Sequence, residues 1–196
     1  NSIINSSASF KKKEEATHFA MLQRPEADNV LILSGGLSGI PEEVEKYKPK
    51  HIDYVDINDK VLEIVKSNYT DFENINYINL DPFTFIKNSD KKYNIVLVNY
   101  PGPAFSEYNR FYTKEFFKII SETLSEKGVL SFSVGKSSNY FAEEEIDLFS
   151  SIYNTVSKLF KHTEIIIGQE VYYLASNYSV SNQIIKLSSD IKFKNQ

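Results

Sequence analysis

NVLILSGGLSGIPEEVEKYKPKHIDYVDIN, residues 29–58, decides the fold. It reads as a buried strand over 30–34, a glycine-rich turn, a short helix over 41–47 and a second strand over 51–57 with an acid, Asp56, at its tip. Gly35, Gly36 and Gly39 supply the turn, with Ser34 before them and Pro41 in the first turn of the helix. Glycine lets the backbone take positive φ and lets a ligand approach with no Cβ in the way. A carboxylate about 20 residues further on, at the tip of the next parallel strand, is placed to grip a ribose hydroxyl pair. Strand, turn, helix, strand and acid in that order point to a nucleoside or dinucleotide site rather than to a merely structural turn.

Working outward, strands and helices continue to alternate, which predicts a parallel sheet covered on both faces. Further strands are expected over 75–80, 93–99 and 128–134, several of them continuous aliphatic runs of the kind buried parallel strands carry. The helices between and after them are expected over 59–69, 82–88, 113–127 and 142–162. Thr113 is a plausible N-cap and Gly128 a C-terminal stop. The last of these helices starts acidic and ends basic, in keeping with the helix dipole. Two more strands, 163–168 and 171–176, are separated by only Gln169 and Glu170, a gap that fits an antiparallel hairpin and no parallel crossover. The expected fold is therefore α/β: a doubly wound, mostly parallel, seven-stranded Rossmann-like sheet of the methyltransferase-like kind, ending in a hairpin. Residues 16–177 form this domain. Residues 16–24 have helical spacing, 1–15 read as a flexible lead-in with a solvated Lys11–Lys13 run, and 178–196 read as a loose polar tail.

Composition narrows the function. The chain has 196 residues, 41% hydrophobic and 24% charged, ordinary values for one soluble domain with a full core. A net charge of −4 argues against a broad nucleic-acid-binding face. There is no cysteine, which excludes disulfides and thiolate chemistry. No apolar run approaches the roughly 20 residues needed to cross a bilayer. The chain opens on Asn1, not Met, and is read as an excised or processed piece.

Ligands of open α/β sheets sit beyond the carboxyl ends of the strands. Those ends carry Ser34-Gly35-Gly36, Asp56-Ile57-Asn58, Asp81-Pro82 and Asn99-Tyr100-Pro101, a polar crescent. In it Asp56 would accept from ribose hydroxyls, Asp81 from an exocyclic amine such as adenine N6, and Ile57 would form an apolar wall. Asp81 is also placed to cap the helix that starts at Pro82. A GxGxxG spacing is absent and no Lys or Arg flanks the turn, so a pyrophosphate fits less well than a thioether nucleoside. The ligand class read from these residues is S-adenosyl. The loop NYPGPAFSEYNRFYT, 99–113, is stiffened by two prolines and heavy in aromatics. It reads as a lid over a reacting carbon. The alternative is a rigid crossover whose aromatics are core and whose Arg110 pairs with a surface acid.

HFAMLQRPEADNVLILSGG, the acid-tipped second strand, LDPFTFIK and NRFYTKEFF together resemble the polyamine aminopropyltransferase family, spermidine synthase and its relatives. GKSSNYFAEEEIDLFSSIYNTVSKLFKH and VYYLAS fit the spermidine synthase-like domains that bacteria attach to membrane segments. The resemblance covers roughly residues 14–177. It implies a small β-domain upstream, of which only the end could lie in 1–15, and it implies a tendency to dimerise. The implied ligands are S-adenosylmethionine or its decarboxylated form, with methylthioadenosine as product, a polyamine as acceptor, and no metal. The nucleoside-binding positions implied are Ser34, Gly35, Gly36, Gly39, Asp56, Ile57, Asp81, Pro82 and Asn99. The family's tyrosine-histidine-glutamate motif falls on His18, flanked here by Thr17 and Phe19.

The departures fall on the transfer half of the site. The acid of the family's glycine motif, which helps hold the aminopropyl amine, is Leu37 here. The two loop aspartates after the fourth strand are Asn99 and Gly102. Asn cannot act as a base at neutral pH, and loss of a general base typically slows a reaction by about 10²–10⁴-fold. Polyamine cations also need carboxylates in place of their hydration, and this loop offers only Glu107. Candidate catalytic residues are thus Asn99, Tyr100, Glu107 and His18. Three readings follow: an aminopropyltransferase-like enzyme, a small-molecule methyltransferase that works by proximity, or a non-catalytic S-adenosyl-binding or docking module. The expected location is the cytoplasm, alone or as the soluble part of a membrane protein.

Overall fold

A computed structural model describes residues 6–183 of the chain. In chain order it contains α1 (Ser6–Met21), β1 (Asn29–Leu33), α2 (Ile40–Glu45), β2 (His51–Asp56), α3 (Asp59–Asn68), β3 (Ile75–Asn79) and α4 (Pro82–Lys87). There follow β4 (Tyr93–Val98), α5 (Lys114–Thr123), β5 (Leu124–Lys136), α6 (Glu143–Val156), β6 (His162–Ile167) and β7 (Glu170–Ser176). The strands form one sheet in the order β3-β2-β1-β4-β5-β7-β6. The pairs from β3 across to β5 are parallel, while β7 runs antiparallel to both β5 and β6. The expected fold class is therefore the observed one.

Side chains of a strand alternate between faces, and here each face has its own helices. Leu31, Leu33, Val96 and Val98 join Ile86 of α4, Phe116 and Ile120 of α5 and Val156 of α6 in one apolar layer. Val30, Ile32, Ile95 and Leu97 join Met21 of α1, Val44 of α2 and Val65 of α3 in the other. Being buried on both sides is why β1 and β4 read as unbroken aliphatic runs rather than alternating ones. Asp53 is the exception inside β2. It accepts from the Tyr93 hydroxyl at 2.6 Å, from Asn76 at 2.9 Å and from Lys91 at 2.7 Å, so its buried charge is matched.

Several local expectations are corrected. The lead-in is helical from Ser6 onward, with Glu14 and Glu15 buried against the domain. Its lysines are not merely solvated: Lys12 pairs with Glu170 at 2.6 Å, and Lys13 pairs with Glu42 and Glu43 at 3.1 Å each. Residues 1–5 and 184–196 lie outside the described residues. The start of the expected tail is tied down, because Gln23 and Ser181 exchange two hydrogen bonds of 2.9 Å and Val180 is buried. Thr113 does cap α5, but that helix ends at Thr123 instead of running to 127. Leu124 pairs with Tyr93 and opens β5, a register shift follows, and Gly128 lies inside the strand. Sheet pairing has overridden the helical spacing of SEK. Likewise α6 stops at Val156, before the basic residues expected in its last turn. No helix among the described residues is long and apolar enough to cross a membrane.

Candidate functional site at the strand switch point

Between β1 and β4 the strand order reverses, and the chain leaves these two strands in opposite directions. Such a switch point leaves a crevice beyond the carboxyl ends of the strands. Ser34 sits there at φ 61° and Gly35 at φ 86°, a sharp exit that only glycine takes at no steric cost. Gly35 has a second reason to lack a side chain: a Cβ on it would lie 2.6 Å from Cβ of Asn99. The turn and the end of β4 are thus interlocked, with Asn99 N–H donating to the Leu33 carbonyl at 3.0 Å and its Nδ2 to the Ser34 carbonyl at 3.3 Å.

A relay ties the turn to the acid of β2. Gly36 N–H donates to the Tyr54 hydroxyl at 3.2 Å, and that hydroxyl donates to one oxygen of Asp56 at 3.1 Å. The other Asp56 oxygen accepts Asn58 N–H at 2.9 Å. Each carboxylate oxygen keeps a lone pair for a further donor, so the held side chain is a preset acceptor. Ile57 beside it is 61% exposed, an apolar surface next to the acid. Asp81 is more heavily engaged. One oxygen caps α4, accepting from Thr84 N–H and hydroxyl at 3.0 Å each, and the other pairs with Arg110 at 2.5 Å. Pro82 opens α4 as expected.

Beside the glycine turn opens a cavity of about 350 Å³, lined among others by Gly35, Asn99, Tyr100 and Phe105. The same lining brings Lys12 and Lys13 from α1 together with Ser133 and Lys136 from β5 and Glu170 from β7. Ser133 donates to one oxygen of Glu170 at 2.6 Å and Lys12 pairs with the other at 2.6 Å. Glu170 is therefore the cavity's acid, held by one partner on each oxygen. Neither it nor the lysines stood out in the sequence; the run KKK and the turn GQE carry no spacing that joins them.

The candidate catalytic residues scatter. Asn99 and Tyr100 line the cavity, whereas Glu107 is exposed outside its lining. His18 is buried behind it, its ring bonded to the Tyr47 hydroxyl at 2.8 Å and to Glu43 at 3.1 Å. Burial would raise the Glu43 carboxyl, but His18, Lys46 and Lys13 outweigh that and hold it down at about 2. Glu14, His18 and Glu43 each bring a ligand-type atom within 4.8 Å of the others, but the two lysines already offset Glu43. The loop after β4 follows the crossover reading, not the lid. Tyr100 stacks on Phe111 at 4.1 Å between centroids, both are core, and the Tyr112 hydroxyl lies 3.2, 3.1 and 2.9 Å from the carbonyls of Tyr100, Pro101 and Ser133. The Tyr100 hydroxyl is buried without a hydrogen-bond partner among the described residues. Burial, then the charge of Asp56, pushes this phenol far above its usual range. It stays protonated at neutral pH, a donor and not a base.

The model of the spermine/spermidine synthase domain matches residues 9–181. The chain belongs to the spermine/spermidine synthase family. Relatives in it include the polyamine aminopropyltransferase of Oceanobacillus iheyensis, 28% identical over 196 residues covering 92% of this chain and 37% of the relative. That of Methanocaldococcus jannaschii is 30% identical over 124 residues, 60% of this chain and 42% of the relative. The chain thus spans well under half the length of these relatives. In fold it is similar to a spermidine synthase solved in complex with the transition-state analogue AdoDATO (TM-score 0.77, 20% identity, 95% of this chain and 66% of that one). It is also similar to human methyltransferase-like protein 13 in complex with SAH (TM-score 0.64, 12% identity, 93% and 88%).

Proposed function

We propose that this domain binds an S-adenosyl nucleoside across the ends of β1, β2 and β3 and serves as the donor half of an alkyl transferase. Ribose hydroxyls donate to Asp56, the base lies against Ile57 with its amine toward Asp81, and the transferable chain passes Gly35 and Asn99 into the cavity. The observation that carries this reading is the relay from Gly36 through Tyr54 to Asp56. It fixes an acceptor at the strand tip, one turn away from an open cavity at the switch point. A bound donor supplies a carbon activated by sulfonium sulfur, and attack by an acceptor lone pair releases a neutral thioether nucleoside. The domain's own share is to orient that carbon and exclude water, which can contribute strongly through proximity alone.

The family's reaction, aminopropyl transfer to an amine, is the first form this takes. A second reading is favoured by a specific feature: among the described residues no unpaired carboxylate or imidazole lines the cavity. Glu170 is held by Lys12 and Ser133, Tyr100 stays protonated, and Glu107 and His18 lie outside the lining. Transfer that needs no strong base, or ligand binding without turnover, fits this wall better. The test is calorimetry with methylthioadenosine. Asp56→Ala should weaken binding at least about tenfold, the value of one good charge-assisted hydrogen bond, while the variant melts cooperatively. Unchanged affinity removes Asp56 from the site and with it the reading.

A further inference from the structure

The cavity sets a single acid against apolar walls: Ala16, Ile40, Pro101 and Phe105 line it, and Glu170 enters from β7. The Glu170 side chain is only 13% exposed, so its charge needs partners in place of water. Lys12 Nζ lies 2.6 Å from Oε1, and the Ser133 hydroxyl donates to Oε2 at 2.6 Å. Each oxygen keeps a lone pair beyond these. The two partners differ in kind. Ser133 is buried in β5, whereas the Lys12 side chain is 52% exposed. The Tyr172 hydroxyl donates to the Lys12 carbonyl at 3.3 Å, so the backbone is tied while the side chain is free to swing into water. A part-exposed pair of this kind contributes little to stability, and losing it costs little. Lys136, opposite Glu170 in the β5–β7 register, is exposed and adds no ion pair among the described residues. The Lys12 terminus is a primary alkylammonium, the same group that an amine acceptor carries.

We propose that Glu170 anchors the far ammonium of a diamine acceptor, and that Lys12 occupies this anchor as a tethered stand-in until the acceptor displaces it. The inference rests on the first form of the function proposed above, with this cavity as the acceptor side. It supplies a carboxylate from β7 although Leu37, Asn99 and Gly102 stand where the family resemblance expects acids. The apolar walls suit the methylenes between the two amines. Glu170 binds charge in this role and takes no proton, since the attacking amine is the other end of the chain.

Calorimetry with putrescine at fixed ionic strength, with and without saturating methylthioadenosine, tests it. Lys12→Gln should tighten putrescine binding about threefold to fivefold, because the internal competitor is gone. Glu170→Gln should weaken it at least about tenfold, the worth of one charge-assisted hydrogen bond. Lys136→Gln removes the same charge from the same neighbourhood without removing a contact, and should change affinity less than about twofold. Equal tightening by the Lys12 and Lys136 variants would mean that only the general field matters, and overturns the proposal. So does weaker binding to Lys12→Gln, unchanged binding to Glu170→Gln, or silence toward putrescine from both the parent and Lys12→Gln. If Glu170→Gln fails to melt cooperatively, the two lysine variants carry the test. Methylthioadenosine bound with no putrescine response sinks this inference and leaves the nucleoside site. Silence toward methylthioadenosine with the Lys12 effect intact does the reverse.

Discussion

The two halves of the switch-point site are built in different ways. The proposed nucleoside half, at the tips of β2 and β3, is mostly local: Asp56 is oriented by Tyr54 and Asn58, each two residues away, and Asp81 by Thr84, three residues away. The transfer half is assembled from the ends of the chain. Lys12 meets Glu170, Glu15 accepts Gln169 N–H at 2.6 Å, and Ser133 reaches Glu170 across the β5–β7 pair. The contacts that orient the two acids are thus mostly short in sequence, Arg110 on Asp81 and Gly36 on Tyr54 being the exceptions, whereas those of the cavity wall join α1 to β7. On the proposed reading, the positions the family resemblance implies are kept on the donor side, at Asp56 and Asp81, and changed on the acceptor side, at Leu37, Asn99 and Gly102.

If the transfer half has been rebuilt, restoring a family acid should fail, and this is the largest effect expected. Gly102→Asp places a Cβ 2.2 Å from the Val134 carbonyl oxygen, a backbone atom that cannot swing away. The variant should lose more than about 3 kcal/mol, beyond the usual range for overpacking because the obstructing atom is backbone, read as a lower urea midpoint. A midpoint within experimental error of the parent would mean the loop yields, and that the two halves are less distinct than described.

Next comes the support behind the cavity wall. Glu43 joins α2 to His18 and Lys13 of α1, and its carboxyl lies at about 2 against an ordinary 4.5. A folded value below the unfolded one stabilises fully above the unfolded value, and the contribution is lost as pH falls from 4.5 toward 2. Glu43→Gln should therefore cost about 3 kcal/mol near neutrality, as loss of one partner from a buried charge cluster does. The gap between variant and parent should close between those two pH values. A gap that does not change across them would mean the carboxylate charge is not what holds α1 to α2.

The same split governs what could be read from the sequence. The sheet, its hairpin and the polar crescent of strand ends follow from spacings of a few residues, and the structure has them. Asp81 as a cap, Thr113 as a cap and the acid at the tip of β2 are local facts of this kind. What escaped depends on contacts far apart in the chain. A polar, lysine-rich opening gives no sign that Glu15 is buried, because Gly168 and Gln169, which lie against it, come over 150 residues later. The aromatics of 99–113 show why composition misleads: stacking on Phe111 turns Tyr100 inward to the core, where a lid would need it outside. His18 occupies a motif position that suggests catalysis, and only tertiary packing reveals that Tyr47 and Glu43 hold its ring.

The smallest effect sharpens the comparison most, because it acts on the half taken to be intact. Arg110 pairs with the Asp81 oxygen that the helix cap leaves over, and its guanidinium lies 5.0 Å from the Phe111 ring centroid. The pair is half-exposed, so Arg110→Ala should change stability by less than about 1 kcal/mol. The cap at Thr84 uses the other oxygen and should survive. An adenine amine must compete with Arg110 for the same lone pairs, so the variant should bind methylthioadenosine more tightly, by about twofold to fivefold, within the worth of an exposed pair. Weaker binding would make Arg110 part of the nucleoside surface. Identical binding would leave Asp81 a helix cap and nothing more, and confine the donor contacts to the ends of β1 and β2.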